Sequence, residues 1–133
     1  MKAIGFDLDY TLVSYTPDLQ SFLYDRAKQR LLERHAFPSS LQDCSFDEKF
    51  AIRGLSVDPS TGLLLNLSNS QRVGSSSAYR GKSAVSAAEL KQLYGPYRHI
   101  PIGELQALRP LHDKYALAKA CLIADAIDHF ERR

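Results

Sequence analysis

The sequence predicts an α/β fold, and three observations predict it. A short apolar run, Ala3-Ile4-Gly5-Phe6, reads as a buried β-strand and ends at two carboxylates one residue apart, Asp7 and Asp9. Behind it, Leu19, Phe22, Leu23, Ala27 and Leu31 recur at helical spacing. Further on, apolar residues flank Asp58-Pro59-Ser60-Thr61-Gly62 as in a β-hairpin, and two more helical patterns follow.

The first strand matters for where it stops. A strand ending at Asp7 lets the following loop turn both carboxylates toward one cation at the carboxyl edge of the sheet, where open α/β sheets bind ligands. Two acids in one place suit phosphoryl chemistry: an ionised carboxylate attacks phosphorus, and a protonated one supplies the proton of the departing oxygen. Mg²⁺ fits such a pair, because it prefers oxygen ligands and binds one or two carboxylates together with substrate phosphate. The alternative is an ordinary Asx-turn, in which the carboxylates only hydrogen-bond nearby backbone amides.

The helix after the motif starts near Pro17, a residue suited to a first turn, and is expected to run to about Glu33 or His35. Arg26, Arg30 and Arg34 share a neighbouring stripe, read as a solvated basic face with phosphate contact as the alternative. Residues 37–47, with Pro38, Ser39, Ser40 and Asp43, read as a loop. The hairpin pairs Leu55 and Val57 with Leu63, Leu65 and Leu67, and Gly62 is expected at positive φ to close its turn. The Ser- and Asn-rich run 68–82 reads as irregular strand and loop. Ser86-Ala87-Ala88-Glu89 is a capping box opening a short helix that Gly95-Pro96 stops. From about His112 to Phe130, Tyr115, Ala118, Leu122, Ala126, Ile127 and Phe130 mark one face of a last helix, on which Asp125 and Asp128 are expected to share a solvated face.

Composition excludes several classes. The 17 basic and 15 acidic residues, net charge +2, are spread along the chain without a long basic run, so neither nucleic acid nor an anionic membrane is required as a partner. No apolar span approaches the ~20 residues of a membrane helix. The N-terminus leads into the strand without a signal-peptide pattern, so a cytoplasmic location is the expectation. Cys44 and Cys121 stand far apart, which favours two reduced thiols over a disulfide framework. His35, His99, His112 and His129 have no metal-ligand spacing, and Tyr94 and Tyr97 are read as packing residues, contact with a base being the alternative.

With Tyr10-Thr11-Leu12 behind the acidic pair, the N-terminal segment resembles motif I of the haloacid dehalogenase-like phosphatases. Three later blocks narrow the resemblance. Phe50-Ala51-Ile52-Arg53-Gly54-Leu55 with Asp58 and Gly62-Leu63-Leu64, then Ser86 to Gly95, then Leu117 to Phe130, are similar to consecutive segments of the cytosolic purine 5′-nucleotidase and 5′-nucleotidase domain-containing group. The resemblance runs over nearly the whole chain.

That resemblance implies the N-terminal part of a haloacid dehalogenase-like Rossmannoid fold over 1–35, with first strand, motif I loop and first helix. A mixed α+β insertion, with the hairpin and helices, is implied over 36–133. It implies a Mg²⁺-dependent 5′-nucleotidase acting on nucleoside monophosphates, with Asp7 as nucleophile, Asp9 as acid/base, both in the metal site, and Thr11 bracing the loop. The family's Ser or Thr, Lys and late acids of motifs II to IV have no counterpart here. A compact second half built from Asp125, Asp128 and Lys114 or Lys119 is rejected because that segment is helical by period and by its alanines. The expectation is therefore a chain that ends inside the insertion and is inactive alone, marginal in stability or associated as an oligomer. A non-catalytic remnant serving as a binding or regulatory module is the alternative. Two departures, Ser68 to Ser75 and the 37–44 loop, leave substrate preference open.

Overall fold

A computed structural model describes residues 2–16, 18–50, 54–113 and 115–131. Pro17, Ala51-Ile52-Arg53, Lys114 and Arg132-Arg133, which carried some of the expectations above, lie outside the described residues. Five strands, β1 (Leu55–Asp58), β2 (Leu63–Leu67), β3 (Val73–Arg80), β4 (Ser83–Ala84) and β5 (Arg109–Leu111), form one sheet in the order β4-β3-β2-β1-β5. Every pairing in it is antiparallel. Four helices accompany the sheet: α1 (Asp18–Arg34), α2 (Ala87–Tyr94), α3 (Ile102–Leu105) and α4 (Ala116–Glu131).

The hairpin forms at the expected place, pairing Leu55 with Asn66 and Asp58 with Leu63. Gly62 has φ +71°, and its N–H donates to the Asp58 carbonyl at 2.8 Å. Inside the turn the Asp58 carboxylate accepts from the Ser60 N–H (2.9 Å), the Ser60 hydroxyl (2.6 Å), the Thr61 hydroxyl (2.9 Å) and the Tyr94 hydroxyl (2.6 Å). Tyr94 is thus a packing and anchoring residue at the end of α2, tied to the hairpin.

Alternation along the central strand explains the layers. Leu63 and Leu65 of β2 face one side, where Val73, Ala78, Val85, Leu90, Ile100 and Leu108 close a core beneath α2 and α3. Leu64 faces the other side and packs with Leu55, Leu111, Ala116, Ala120 and Ala124, so α4 lies on that face. Its alanines do more than favour helix: their small side chains let α4 approach the sheet. A third cluster, with Tyr24, Leu41, Ala118, Cys121 and Leu122, joins α1 to α4.

Three readings of the sequence are corrected, and a fourth, the irregular strand and loop of 68–82, is made definite. Residues 2–8 form no strand, and Ile4 and Phe6 are 83% and 71% exposed. A strand of parallel type persists only when paired and covered on both faces, and no described segment pairs with residues 2–8. The run 68–82 contains an eight-residue strand, β3, because pairing with β2 supplies the stability that its serines do not. Within the 37–47 loop a 3₁₀ turn, Ser39–Asp43, buries Leu41. The third correction is Asp125: it does not share a solvated face with Asp128 but is 6% exposed. Its carboxylate accepts from the Tyr24 hydroxyl at 2.6 Å and is paired with the Lys82 ammonium at 2.6 Å. Asp128 in turn accepts from the Lys82 N–H at 3.2 and 3.3 Å. A helical wheel cannot foresee this, since the partners come from α1 and the β3–β4 loop.

Helix α2 also departs in a detail. Ser86 caps it by accepting from the Glu89 N–H at 3.1 Å, but the Glu89 carboxylate does not return to the cap. It takes the Arg80 guanidinium at 2.8 Å instead.

Two predictions follow from this packing. Asp125→Ala leaves a buried Tyr24 hydroxyl and a partly buried Lys82 ammonium without partners, and urea unfolding is expected to show a loss of roughly 2–4 kcal/mol. Burial alone works to raise the carboxyl pKa of Asp58, but the hydrogen bonds from Ser60, Tyr94 and Thr61 prevail and hold it below its ordinary value. A depressed folded pKa stabilises above the unfolded value of about 3.9 and ceases to do so as pH falls through the folded pKa. The stability gap between the native chain and Asp58→Asn should therefore be constant near neutrality and narrow below about pH 4, as followed by thermal melts.

Candidate active-site loop

The loop that carries the acidic pair is built by its own backbone. The carbonyl of Leu8 accepts from the N–H groups of Leu12 and Val13, each at 3.1 Å, and from that of Thr11 at 3.4 Å. The Tyr10 N–H returns to the Val13 carbonyl at 2.9 Å, so residues 8–13 close on themselves around an Asp9–Val13 bridge. Closing so tightly requires a left-handed residue, and Tyr10 takes φ +59°. Thr11 enters the loop through its backbone N–H.

Both carboxylates are exposed, and each has its own partner. Asp7 Oδ1 accepts from the N–H of the next residue, Leu8, at 2.8 Å. Asp9 Oδ1 accepts from the Tyr15 hydroxyl at 2.5 Å. That hydroxyl has its pKa pushed up, first by the hydrogen bond to Asp9 and then by one to Tyr115. The Tyr15 ring lies edge-on to Tyr10, 5.3 Å between centroids, and to Tyr115 at 6.2 Å. An aromatic row thereby leads from the acidic loop to the start of α4. Tyr15 was not singled out from the sequence, because a tyrosine six residues after an aspartate carries no pattern of its own.

Whether the pair fits a metal is a question of donors. Carboxylate oxygens are the right chemistry for Mg²⁺, and two of them suffice when waters and a phosphate complete the shell. Among the described residues there is no group of three or more His, Cys, Asp or Glu side chains placed to hold an ion. Asp7 and Asp9 supply donors of the chemistry that a Mg²⁺ shell uses, each with one oxygen already engaged by Leu8 or Tyr15. The remaining histidines do not converge; His129, for example, lies beside the Ser40 hydroxyl at 3.3 Å.

The other sequence candidates lie elsewhere. Lys119 is exposed on α4, and Arg30 is exposed on α1 with no ion pair among the described residues. Arg26 stacks over Phe22, 5.7 Å from the ring centroid, and reaches Gln29 at 3.3 Å, as befits a solvated face. Cys44 and Cys121 are free thiols, Cys121 buried, and burial pushes both up from the ordinary thiol range. No helix among the described residues is long and apolar enough to cross a membrane.

A mixed α/β chain with an Asp-X-Asp loop ahead of an antiparallel sheet is the class that fold and loop define together. The chain belongs to the 5′ nucleotidase family, which it matches over residues 1–133. It is 34% identical over 129 residues to a 5′-nucleotidase domain-containing protein of Dictyostelium discoideum, covering 97% of this chain and 22% of that protein. It is 31% identical to 5′-nucleotidase domain-containing protein 2 of Rattus norvegicus and 30% identical to that of Homo sapiens. Each match covers 98% of this chain and 25% and 26% of the respective relative. The chain thus spans about a quarter of the length of these relatives. The resemblance read from the four sequence blocks is borne out at the level of the family.

The Tyr15–Asp9 contact is open to a direct measurement. In the native chain the Tyr15 phenol should titrate above the ordinary tyrosine range, because ionising it places a phenolate against the Asp9 carboxylate. Asp9→Asn should bring it down, as read from tyrosine ring-carbon NMR shifts against pH. An unchanged Tyr15 titration in that variant would contradict the contact.

Proposed function

We propose that this chain contributes the reacting carboxylates of a 5′-nucleotidase-type phosphomonoester hydrolase acting on nucleoside monophosphates. The observation that carries the reading is the exposed Asp7-Leu8-Asp9 loop at the start of a chain that matches the 5′ nucleotidase family throughout. Asp7 attacks phosphorus; the new acyl–phosphate bond forms as the ester P–O bond breaks, and Asp9 gives its proton to the departing nucleoside oxygen. Water then attacks the aspartyl-phosphate, Asp9 takes the water's proton, and phosphate leaves with the Asp7 carboxylate restored. Asp7 and Asp9 would hold part of the shell of a Mg²⁺ ion, which when bound would supply charge neutralisation at the phosphoryl oxygens. Tyr15 keeps Asp9 oriented through its hydroxyl.

Phosphate monoesters resist hydrolysis more than most substrates, and enzymatic accelerations reach about 10²¹-fold. Two exposed carboxylates in high-dielectric surroundings supply little of that, because electrostatic stabilisation is strong where water is excluded. The isolated 133-residue chain is accordingly proposed to lack turnover, with the further donors of the reaction coming from outside residues 1–133. A second reading is a non-catalytic binding or regulatory module.

Both readings meet the same assays. The purified chain with MgCl₂ should hydrolyse no IMP, GMP or p-nitrophenyl phosphate above background, while Mg²⁺ titration should shift the backbone resonances of residues 7–15. Asp7→Asn and Asp9→Asn should each abolish those shifts. Shifts that survive both substitutions would rule out the pair as the metal site and favour the binding-module reading.

A further inference from the structure

The outward face of α4 is the floor of an apolar trough of about 730 Å³. Ile123, Ile127 and Phe130 form the floor, Ala27 and Leu31 of α1 form one wall, and the Thr61-Gly62 turn of the hairpin stands opposite. Phe130 is 52% exposed, with its ring edge-on to Phe37 at 5.7 Å between centroids. An apolar concavity of this size is ordinary for a binding site and unusual for bare surface.

The charges around it are uneven. The single acid lining the trough is Glu131, and Arg80 already engages it at 3.3 Å while holding Glu89 at 2.8 Å. Arg30 and Lys119 also line it, both exposed and without an ion pair among the described residues. Helices α1 and α4 run in the same direction: the Ala118 N–H meets the Gln20 side chain near their starts, and Phe37 meets Phe130 near their ends. With Ala118 level with Gln20, Lys119 is level with residue 21, and Arg30 lies nine residues further on, about 14 Å along the axis between backbones at 1.5 Å per residue.

That separation selects the occupant. The two backbone positions stand about 14 Å apart along the axis, a spacing that a helix matches by presenting residues about three turns apart on one face with apolar positions between them. A second copy of this chain is a poor occupant, since its own trough carries the same unpaired cations and no free acid. From this geometry we infer that the trough seats an amphipathic helix of a partner protein, with two acids about three turns apart bracketing its apolar anchors. The acids meet Arg30 and Lys119, and the anchors fill the space above Ile123 and Ile127. The inference does not depend on the catalytic reading of Asp7 and Asp9.

A fluorescein-labelled peptide of about 15 residues tests it, with glutamates at its second and thirteenth positions and leucines at its sixth and ninth on an alanine–glutamine background. Its partner in the test replaces both glutamates by lysines. Fluorescence anisotropy with the 133-residue chain should show the acidic peptide bound at least about tenfold more tightly, and the double variant Arg30→Glu/Lys119→Glu should invert the order. Both substitutions are on exposed side chains and leave the fold intact. Ile127→Asp, checked for folding by circular dichroism, should weaken the acidic peptide by at least about tenfold. Equal affinity for the two peptides, no measurable binding, or indifference to the double variant would overturn the inference. So would a concentration-dependent dimer in sedimentation that Ile127→Asp dissolves, because a second copy would then be the occupant.

Discussion

The buried carboxylate of Asp125 is the point on which the packing of this chain turns. It receives the Tyr24 hydroxyl from α1 and the Lys82 ammonium from the β3–β4 loop, each at 2.6 Å, while its own helix lies against the sheet. Three separate pieces of chain are thereby committed to one atom group. A carboxylate taken out of water is costly unless its partners are in place, so each contact is conditional on the others. The surroundings enforce the same arrangement: Lys82 also lies over the Phe50 ring at 6.0 Å, and Asp128, one turn along α4, accepts the Lys82 N–H. Gly81 completes it, with φ +56° and no room for a Cβ, which would run into the Asp128 carboxylate.

From that anchor the position of α1 follows. Helix α1 has only Tyr24 fully buried, with Leu23, Ala27, Leu31 and Leu32 partly buried beside it, so its seat depends on the Tyr24 bond and on the cluster with Leu41, Cys121 and Leu122. Lys28 extends the hold, donating to the Cys44 carbonyl at 2.6 Å and the Gln42 carbonyl at 3.2 Å, which fixes the 3₁₀ turn beneath the helix. With α1 placed, the trough over α4 acquires its wall. The acidic loop, by contrast, is linked to this framework through the aromatic row Tyr10–Tyr15–Tyr115.

How much of this was legible in the sequence depends on where the partners of each residue lie. Helix α1, the hairpin, α2 and α4 were readable because their determinants are local: apolar period, turn residues, Ser86 as cap and Gly95 as stop. The strand β3 was legible only as irregular strand and loop, because its serines and Gly74 have weak strand preference and pairing with β2 fixes its extent. The first strand failed for the opposite reason. Ala3 to Phe6 look like a buried strand, yet nothing described covers them, and pattern without a partner does not make a sheet. Of the candidate site, Asp7, Asp9 and Thr11 were legible as a motif, whereas Tyr15 was visible only once the loop had closed.

The amino-acid sequence by itself determined the family, the local elements and the identity of the acidic pair, since each of these is written in contiguous residues. Only the tertiary structure decided that Asp125 is buried and paired, that Leu64 faces a second core opposite Leu63 and Leu65, and that Arg30 and Lys119 stand at two ends of one trough. The physical reason is common to all three. Burial, pairing and charge complementarity are relations between residues distant in the chain, and a linear pattern specifies which side chains are available for them without specifying which will meet.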